Sequence, residues 1–123
     1  NGKPVWEHPQ FEDGIASDVT AIDTTGDGFL DQLYVGDTGG RVWRADIGSA
    51  TIADWKAAPI ASLGRHESNT VADDRRFFER PDVVRVAQGG TGYNTIIIGS
   101  GNRADPLNRN TNNQLFVIKD SGL

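Results

Sequence analysis

The chain has 123 residues, a formal net charge of -5 and a hydrophobic content of 37%. Its acidity disfavours nucleic acid and anionic membrane surfaces as partners, and the absence of Cys excludes disulfides and Cys-ligated zinc. The length suggests one domain or part of one. No apolar run approaches the roughly 20 residues that cross a bilayer. The start has no signal-peptide pattern and the chain has no Met, so we expect a piece of a longer protein.

Short segments rich in β-branched and aromatic residues alternate with clusters of Gly, Asn and Asp. This pattern is typical of strands joined by tight turns. It predicts an all-β chain of antiparallel strands near residues 16–22, 32–36, 41–47, 59–63, 82–87, 93–99 and 114–119.

Helix is expected only as a short turn around residues 53–57, which Thr51 or Asp54 could cap. In the segment RVWRADI at 41–47, alternation places Trp43 and Ala45 on one face, which predicts Trp43 as a core residue. The run Ile96-Ile97-Ile98 is apolar on both faces, which predicts a central strand covered on both sides.

The chain also contains an internal repeat. The segments SDVTA at 17–21, LYVGD at 33–37 and GRVWRAD at 40–46 align with PDVVR at 81–85, IIIGS at 96–100 and NQLFVIK at 113–119. Asp18 aligns with Asp82, 64 residues later. A unit of three or four antiparallel strands recurring at such a period indicates a β-propeller blade with inserted loops.

We therefore expect residues 1–123 to form part of one β-propeller, with a first blade at about 16–63 and a second at about 76–120. A propeller needs roughly four to eight blades. Two blades make a fragment of a larger propeller, or a chain whose exposed sheet edges are protected by partners or by self-association.

The segment DTTGDGFLD, residues 23–31, is termed the acid loop below. Its carboxylates repel one another unless a hard cation lies between them, and calcium takes six to eight oxygen ligands. The glycines at 26 and 28 permit the backbone angles that wrapping round an ion needs. The aligned turn of the second unit, AQGGTG at 87–92, has no acids. The predicted Ca²⁺ ligands are the side chains of Asp23, Thr25, Asp27 and Asp31 and the carbonyl of Phe29.

The spacing matches the first half of an EF-hand loop, but Tyr34 stands at the twelfth place and the flanks are predicted strands. A calcium loop between two β-strands is therefore favoured. Because Thr25 is a weak ligand, we expect a dissociation constant nearer the roughly 10⁻⁴ to 10⁻³ M of extracellular modules, reaching micromolar if water and geometry compensate. The alternatives are magnesium, and a metal-free turn in which Asp and Thr bond to their own backbone.

Other polar residues favour structural roles. Asp37 is expected in the turn of DTGG at 37–40. His8 and His66 are expected in loops, each without a second His or a nucleophile at useful spacing. DDRR at 73–76 favours a local ion-pair cluster over a recognition surface. GSG at 99–101 suits a turn after a strand and lacks nucleophile-elbow spacing. No catalytic constellation is visible, so we expect a protein that is not an enzyme.

Three longer segments carry a family resemblance. Residues 21–47, AIDTTGDGFLDQLYVGDTGGRVWRADI, resemble the C-terminal propeller of type IV pilus tip adhesins of the PilY and PilC kind. RFFERPDVV at 76–84 and IGSGNRADPL at 98–107 look like the same family's next blade, which ends in QLFVIKD at 114–120. The resemblance covers most of residues 17–120.

The resemblance implies a surface protein of a Gram-negative bacterium, carried at the pilus tip or outer membrane, that acts in pilus assembly, adhesion and twitching motility. It implies minor pilins and host or abiotic surfaces as partners. It also implies a calcium site that regulates pilus extension and retraction, with the ligands named above; Thr25 departs from the Asn or Asp that the family often has. No Arg-Gly-Asp integrin-type motif occurs. The alternatives are a propeller enzyme of the quinoprotein dehydrogenase type and a purely structural calcium-stabilised repeat.

Overall fold

The computed structural model describes residues 2–8 and 11–121, and its regular secondary structure is almost wholly β-strand. The strands are β1 Thr20–Ile22, β2 Gln32–Gly36, β3 Arg41–Asp46, β4 Lys56–Ser62, β5 Asp82–Gln88, β6 Thr91–Gly99 and β7 Leu115–Asp120. Two short 3-10 turns, Ile52–Asp54 and Val71–Asp73, are the helical segments within this described part. None of its helices is long and apolar enough to cross a membrane.

The strands form two antiparallel sheets, one of four strands in the order β1-β2-β3-β4 and one of three in the order β5-β6-β7. All seven predicted strands are present, so the prediction of an all-β antiparallel fold is confirmed. The boundaries differ most at β1, which begins four residues later than expected, and at β4, which begins three residues earlier. The predicted helical turn is a 3-10 turn at Ile52–Asp54, and Thr51 makes no side-chain capping hydrogen bond.

The hydrophobic core lies between the two sheets. Tyr34 and Val42 come from the first sheet, Ile96 and Ile98 come from the second, and Phe77 enters from the connection between them. Gly36 makes this contact close, because an added Cβ there would lie 2.5 Å from Phe77 Cβ and 2.9 Å from Ile98 Cδ1. The absence of a side chain at residue 36 is therefore a packing requirement.

A buried polar network also joins the sheets. The Tyr34 hydroxyl donates to Asp120 Oδ2 at 2.6 Å and accepts from Asn94 Nδ2 at 2.7 Å, while Arg44 Nη1 donates to Asp120 Oδ1 at 2.7 Å. Burial, followed by the hydrogen bond to Asp120, raises the pKa of the Tyr34 phenol. The network ties β2 and β3 to β6 and β7 with directional bonds, which favour one alignment of the two sheets.

The two faces of the Ile96-Ile97-Ile98 run have different environments. Ile96 and Ile98 are buried, but Ile97 is 36% exposed, because it points away from the first sheet. The prediction of a central strand is confirmed, since β6 lies between β5 and β7. The prediction that both faces are covered is wrong for this chain. Val84, Leu115 and Val117 are exposed as well.

The opposite face of the first sheet carries Trp43, which is 5% exposed. Phe11 packs against it with ring centroids 4.6 Å apart and His8 does so at 5.6 Å, so the segment before β1 covers this face. Val35 pairs with Trp43 and Tyr34 pairs with Arg44 across the strands. The predicted alternation along β3 is therefore confirmed, and Trp43 is a core residue.

Candidate functional site

The acid loop is the connection between β1 and β2. The Asp31 amide donates to the Ile22 carbonyl at 3.0 Å and closes the loop at its base. Gly26 and Gly28 have φ angles of 77° and 89°, a left-handed region that other residues seldom adopt. The sequence therefore folds locally into a tight loop on a hairpin, which confirms that strands flank it.

Asp23 organises the first half of the loop. Its Oδ1 accepts the amides of Thr25 at 3.1 Å and Gly26 at 2.7 Å, and its Oδ2 accepts the amide of Gly28 at 2.7 Å. The hydrogen bond from Gly28 is the main reason that the pKa of this carboxyl is lowered, and those from Gly26 and Thr25 add to it. Asp23 is therefore held in its ionised form inside a nest of backbone amides.

Asp31 and Asp27 bond elsewhere in the loop. Both carboxylate oxygens of Asp31 lie 3.0 Å from the Thr24 amide, and its Oδ1 accepts the Thr24 hydroxyl at 2.8 Å. Asp27 Oδ1 accepts the Phe29 amide at 2.9 Å. Each acidic side chain thus satisfies backbone donors of the same loop, in the manner of an Asx turn.

This arrangement does not bring the three carboxylates together round one point. In residues 2–8 and 11–121, no group of three or more His, Cys, Asp or Glu side chains is placed to hold a metal ion. Of the predicted ligands, Asp23 and Thr25 are in contact, with the Thr25 hydroxyl 3.2 Å from Asp23 Oδ1. Asp27 is exposed, whereas Asp31 is partly buried and bonded to Thr24.

The donor set nonetheless fits a hard cation. All the side-chain candidates offer oxygen, which calcium and magnesium prefer. A carboxylate has about four lone-pair sites, and Asp27 Oδ2 accepts no hydrogen bond from any described residue. Because Asp27 is exposed, its side chain can turn without disturbing the core. Asp31 must exchange its bonds to Thr24 to become a ligand.

An apolar tip lies beside these oxygens. Phe29 is 76% exposed and Leu30 is 54% exposed, and both line a groove of about 710 Å³ that reaches Trp55. Phe29 and Leu30 belong to the acid loop, as the acidic residues do. The conformation of the acid loop therefore decides how this apolar surface is presented.

Asp37 has the structural role that its turn position suggested. It is 1% exposed, accepts the amides of Gly39 and Arg41 at 2.9 Å each, and accepts Trp43 Nε1 at 2.8 Å. These three bonds hold the β2–β3 turn and orient the core indole. The predicted ion pairs are also present, with Arg75–Asp73 at 3.0 Å and Arg76–Asp74 at 3.1 Å.

His66 is a loop residue as expected, and it has a carboxylate partner that the sequence did not indicate. Its Nε2 lies 2.6 Å from Oδ2 of the buried Asp13, which also forms an ion pair with Arg65. No Ser or Thr hydroxyl in the described ranges is hydrogen-bonded to His66. Sequence reasoning missed the pair because 53 residues separate its members.

Comparison with known protein families, with curated proteins and with solved structures finds no match to this chain.

Proposed function

We propose that this chain is a calcium-binding segment of a β-propeller in a type IV pilus tip adhesin and assembly factor. The observation that carries the proposal is the acid loop, a tight hairpin loop with an all-oxygen set of candidate ligands between two strands. Calcium binding gathers Asp27 and Asp31 towards Asp23 and replaces part of their bonding to backbone amides. The carboxylates repel one another without the ion, so the ion favours the gathered state.

The way the sheets stack supports the propeller part of the proposal. Tyr34 and Ile97 hold equivalent places in the repeat, yet Tyr34 faces the second sheet and Ile97 faces away from the first. The repeated units thus present the same face in the same direction, as successive blades do, rather than facing each other as in a two-fold pair.

The first strands of the two units also meet. The Thr20 hydroxyl in β1 donates to the carbonyl of Pro81, the residue before β5. In a propeller the first strands of all blades lie round a common axis. The exposed apolar face formed by Val84, Ile97, Leu115 and Val117 then packs on a following blade.

The exposed tip connects calcium with adhesion. Phe29 and Leu30 lie within the acid loop, so an ion that orders the loop also orders these two apolar side chains. A preorganised apolar surface binds a partner with a smaller entropy cost. We propose that this surface contacts minor pilins or a host or abiotic surface, and that loss of calcium weakens the contact at the exterior of a Gram-negative bacterium.

The test is calcium titration of the chain after chelator treatment, by calorimetry and by thermal denaturation. We expect uptake of calcium and a rise in Tm, both lost in Asp27→Ala because an exposed ligand is removed. The matched control is Asp18→Ala, since Asp18 is also exposed and has no hydrogen-bond partner among the described residues. No heat and no Tm change in the unaltered chain refutes the site.

A second comparison separates regulation from structural stabilisation. In bacteria that carry the parent protein, Asp27→Ala should change twitching motility and surface attachment while the amount of surface protein is unchanged. Unchanged motility together with a lost calcium effect on Tm would support the structural calcium-stabilised repeat instead.

A further inference from the structure

A cavity of about 310 Å³ lies at the end of β6, in the second sheet. The turn after Gly99, the segment before β5 and the long loop before β7 form its walls. Its volume falls at the lower end of the range for small-molecule sites, roughly 300 to 1,000 Å³. It shares no lining residue with the acid loop.

One wall of this cavity contains a buried acceptor without a partner. Asp74 Oδ2 accepts Arg76 Nη2 at 3.1 Å, but Asp74 Oδ1 is buried and accepts no hydrogen bond from any residue that the structure describes. A buried carboxylate oxygen left unpaired costs free energy, so a ligand gains affinity if the partly exposed Asp74 carboxylate turns to accept its hydrogen bond. The cavity therefore offers a site for a hydroxyl or amine donor.

Spare donors lie near this acceptor. Asn113 uses its Oδ1 to accept the Ser100 hydroxyl at 3.0 Å, and its amide nitrogen has no partner in the described part of the chain. Arg76 makes one side-chain hydrogen bond, to Asp74, although a guanidinium has five N–H donors. A ligand hydroxyl can both donate a hydrogen bond to the Asp74 acceptor and accept hydrogen bonds from these donors.

The charges of the lining nearly balance. The two arginines, Arg76 and Arg103, are paired with Asp74 and Glu79, and Asp105 adds one further negative charge. A neutral ligand leaves both ion pairs in place. Phe78 and Pro106 supply apolar surface, which suits the C–H face of a sugar ring.

We propose that this cavity binds a neutral saccharide of one or two rings, whose hydroxyls donate to Asp74 and accept from Arg76 and Asn113. The proposal goes beyond calcium binding and does not depend on it, because the cavity and the acid loop lie on different sheets. It adds a recognition site for neutral glycans to the chain.

The test is a titration of the isotope-labelled chain with galactose, mannose, glucose and N-acetylglucosamine, followed by amide NMR, with inorganic phosphate as the anionic probe. We expect saturable shifts at the amides of Gly101, Asn102 and Asn113 with at least one of the four sugars. Asp74→Ala should weaken binding roughly tenfold, the loss expected for one charge-assisted hydrogen bond.

The matched control is Asp73→Ala. Asp73 is paired with Arg75 much as Asp74 is paired with Arg76, and the two carboxylate side chains are 32% and 31% exposed, but Asp73 does not line the cavity. We expect the affinity of Asp73→Ala for the sugar to stay within about twofold of that of the unaltered chain. A second pair, Asn113→Ala in the cavity and Asn69→Ala outside it, gives the same contrast if the Asp74 variant fails to fold, as judged by its melting curve.

The proposal is overturned if none of the four sugars gives saturable shifts, if phosphate alone gives them, or if the variants inside and outside the cavity weaken binding equally. Repeating the titration in chelator separates the two sites. Sugar binding without calcium uptake upholds the cavity and rejects the acid loop, and calcium uptake without sugar binding does the reverse.

Discussion

The hydroxyl of Tyr34 offers a direct measure of the network between the sheets. In Tyr34→Phe, the hydrogen bond to Asp120 at 2.6 Å is lost, and hydrogen bonds to charged groups contribute about 1.5 to 3 kcal/mol. Asp120 keeps Arg44 at 2.7 Å and Asn94 keeps Gln32 Oε1 at 2.7 Å, so neither partner is left unpaired. The expected loss is therefore in the lower part of that range, about 1.5 to 2 kcal/mol.

The assay is urea denaturation followed by circular dichroism. With a slope of about 2 kcal/mol/M, the loss lowers the midpoint by a little under about 1 M while the slope stays the same. Tyr93→Phe is the control, because the Tyr93 hydroxyl has no hydrogen-bond partner in the described residues and Lys119 Nζ lies 4.3 Å from its ring centroid. It should change stability by less than about 0.5 kcal/mol.

The pH dependence gives a second check on the same residue. The pKa of Tyr34 is raised in the fold, so its stabilising effect is present below the unfolded value of about 10 and is lost as the pH rises through the folded value. The stability difference between the unaltered chain and Tyr34→Phe should therefore narrow above about pH 10. Equal midpoints for the Tyr34 and Tyr93 variants at neutral pH would refute the role given to the network.

Two other predictions concern the acid loop and the core. The pKa of Asp23 is lowered in the fold, so its stabilising effect is present above the unfolded value of about 3.9 and is lost as the pH falls through the folded value. In calcium-free buffer, the stability difference between the unaltered chain and Asp23→Asn should therefore shrink during acid titration. A stability difference that stays constant with pH would contradict this. Gly36→Ala should destabilise by about 1 to 3 kcal/mol through overpacking against Phe77 and Ile98. Gly101→Ala is its control, since an added Cβ there meets nothing within 4 Å, and equal urea midpoints for the two would argue against close packing at residue 36.

Much of the secondary structure could be predicted because its causes are local. Alternation along β3 places Trp43 and Arg44 on opposite faces, and the glycines at 26 and 28 mark where the backbone must turn left-handed. The turn role of Asp37 follows from the same local chemistry, because its acceptors serve amides two and four residues later. The position of the acid loop on a hairpin was predictable for the same reason.

The internal arrangement of the acid loop was less predictable. Spacing alone indicated that Asp23, Asp27 and Asp31 could point at one centre, whereas in the structure each accepts amides of its own loop. Backbone N–H groups compete with an ion for the same lone pairs, and a one-dimensional pattern does not say which partner is closer. A gathered state of the acid loop therefore remains a prediction.

By itself, the sequence determined the strands, the tight turns and the candidate ligands, because each depends on side chains and backbone angles within a few residues. The tertiary structure alone decided that Ile97 is exposed, that Asp13 meets His66, and that Tyr34 meets Asp120 across 86 residues. Such pairings depend on how two sheets are stacked. That stacking depends on how whole sheet faces pack together, which no short segment of sequence determines.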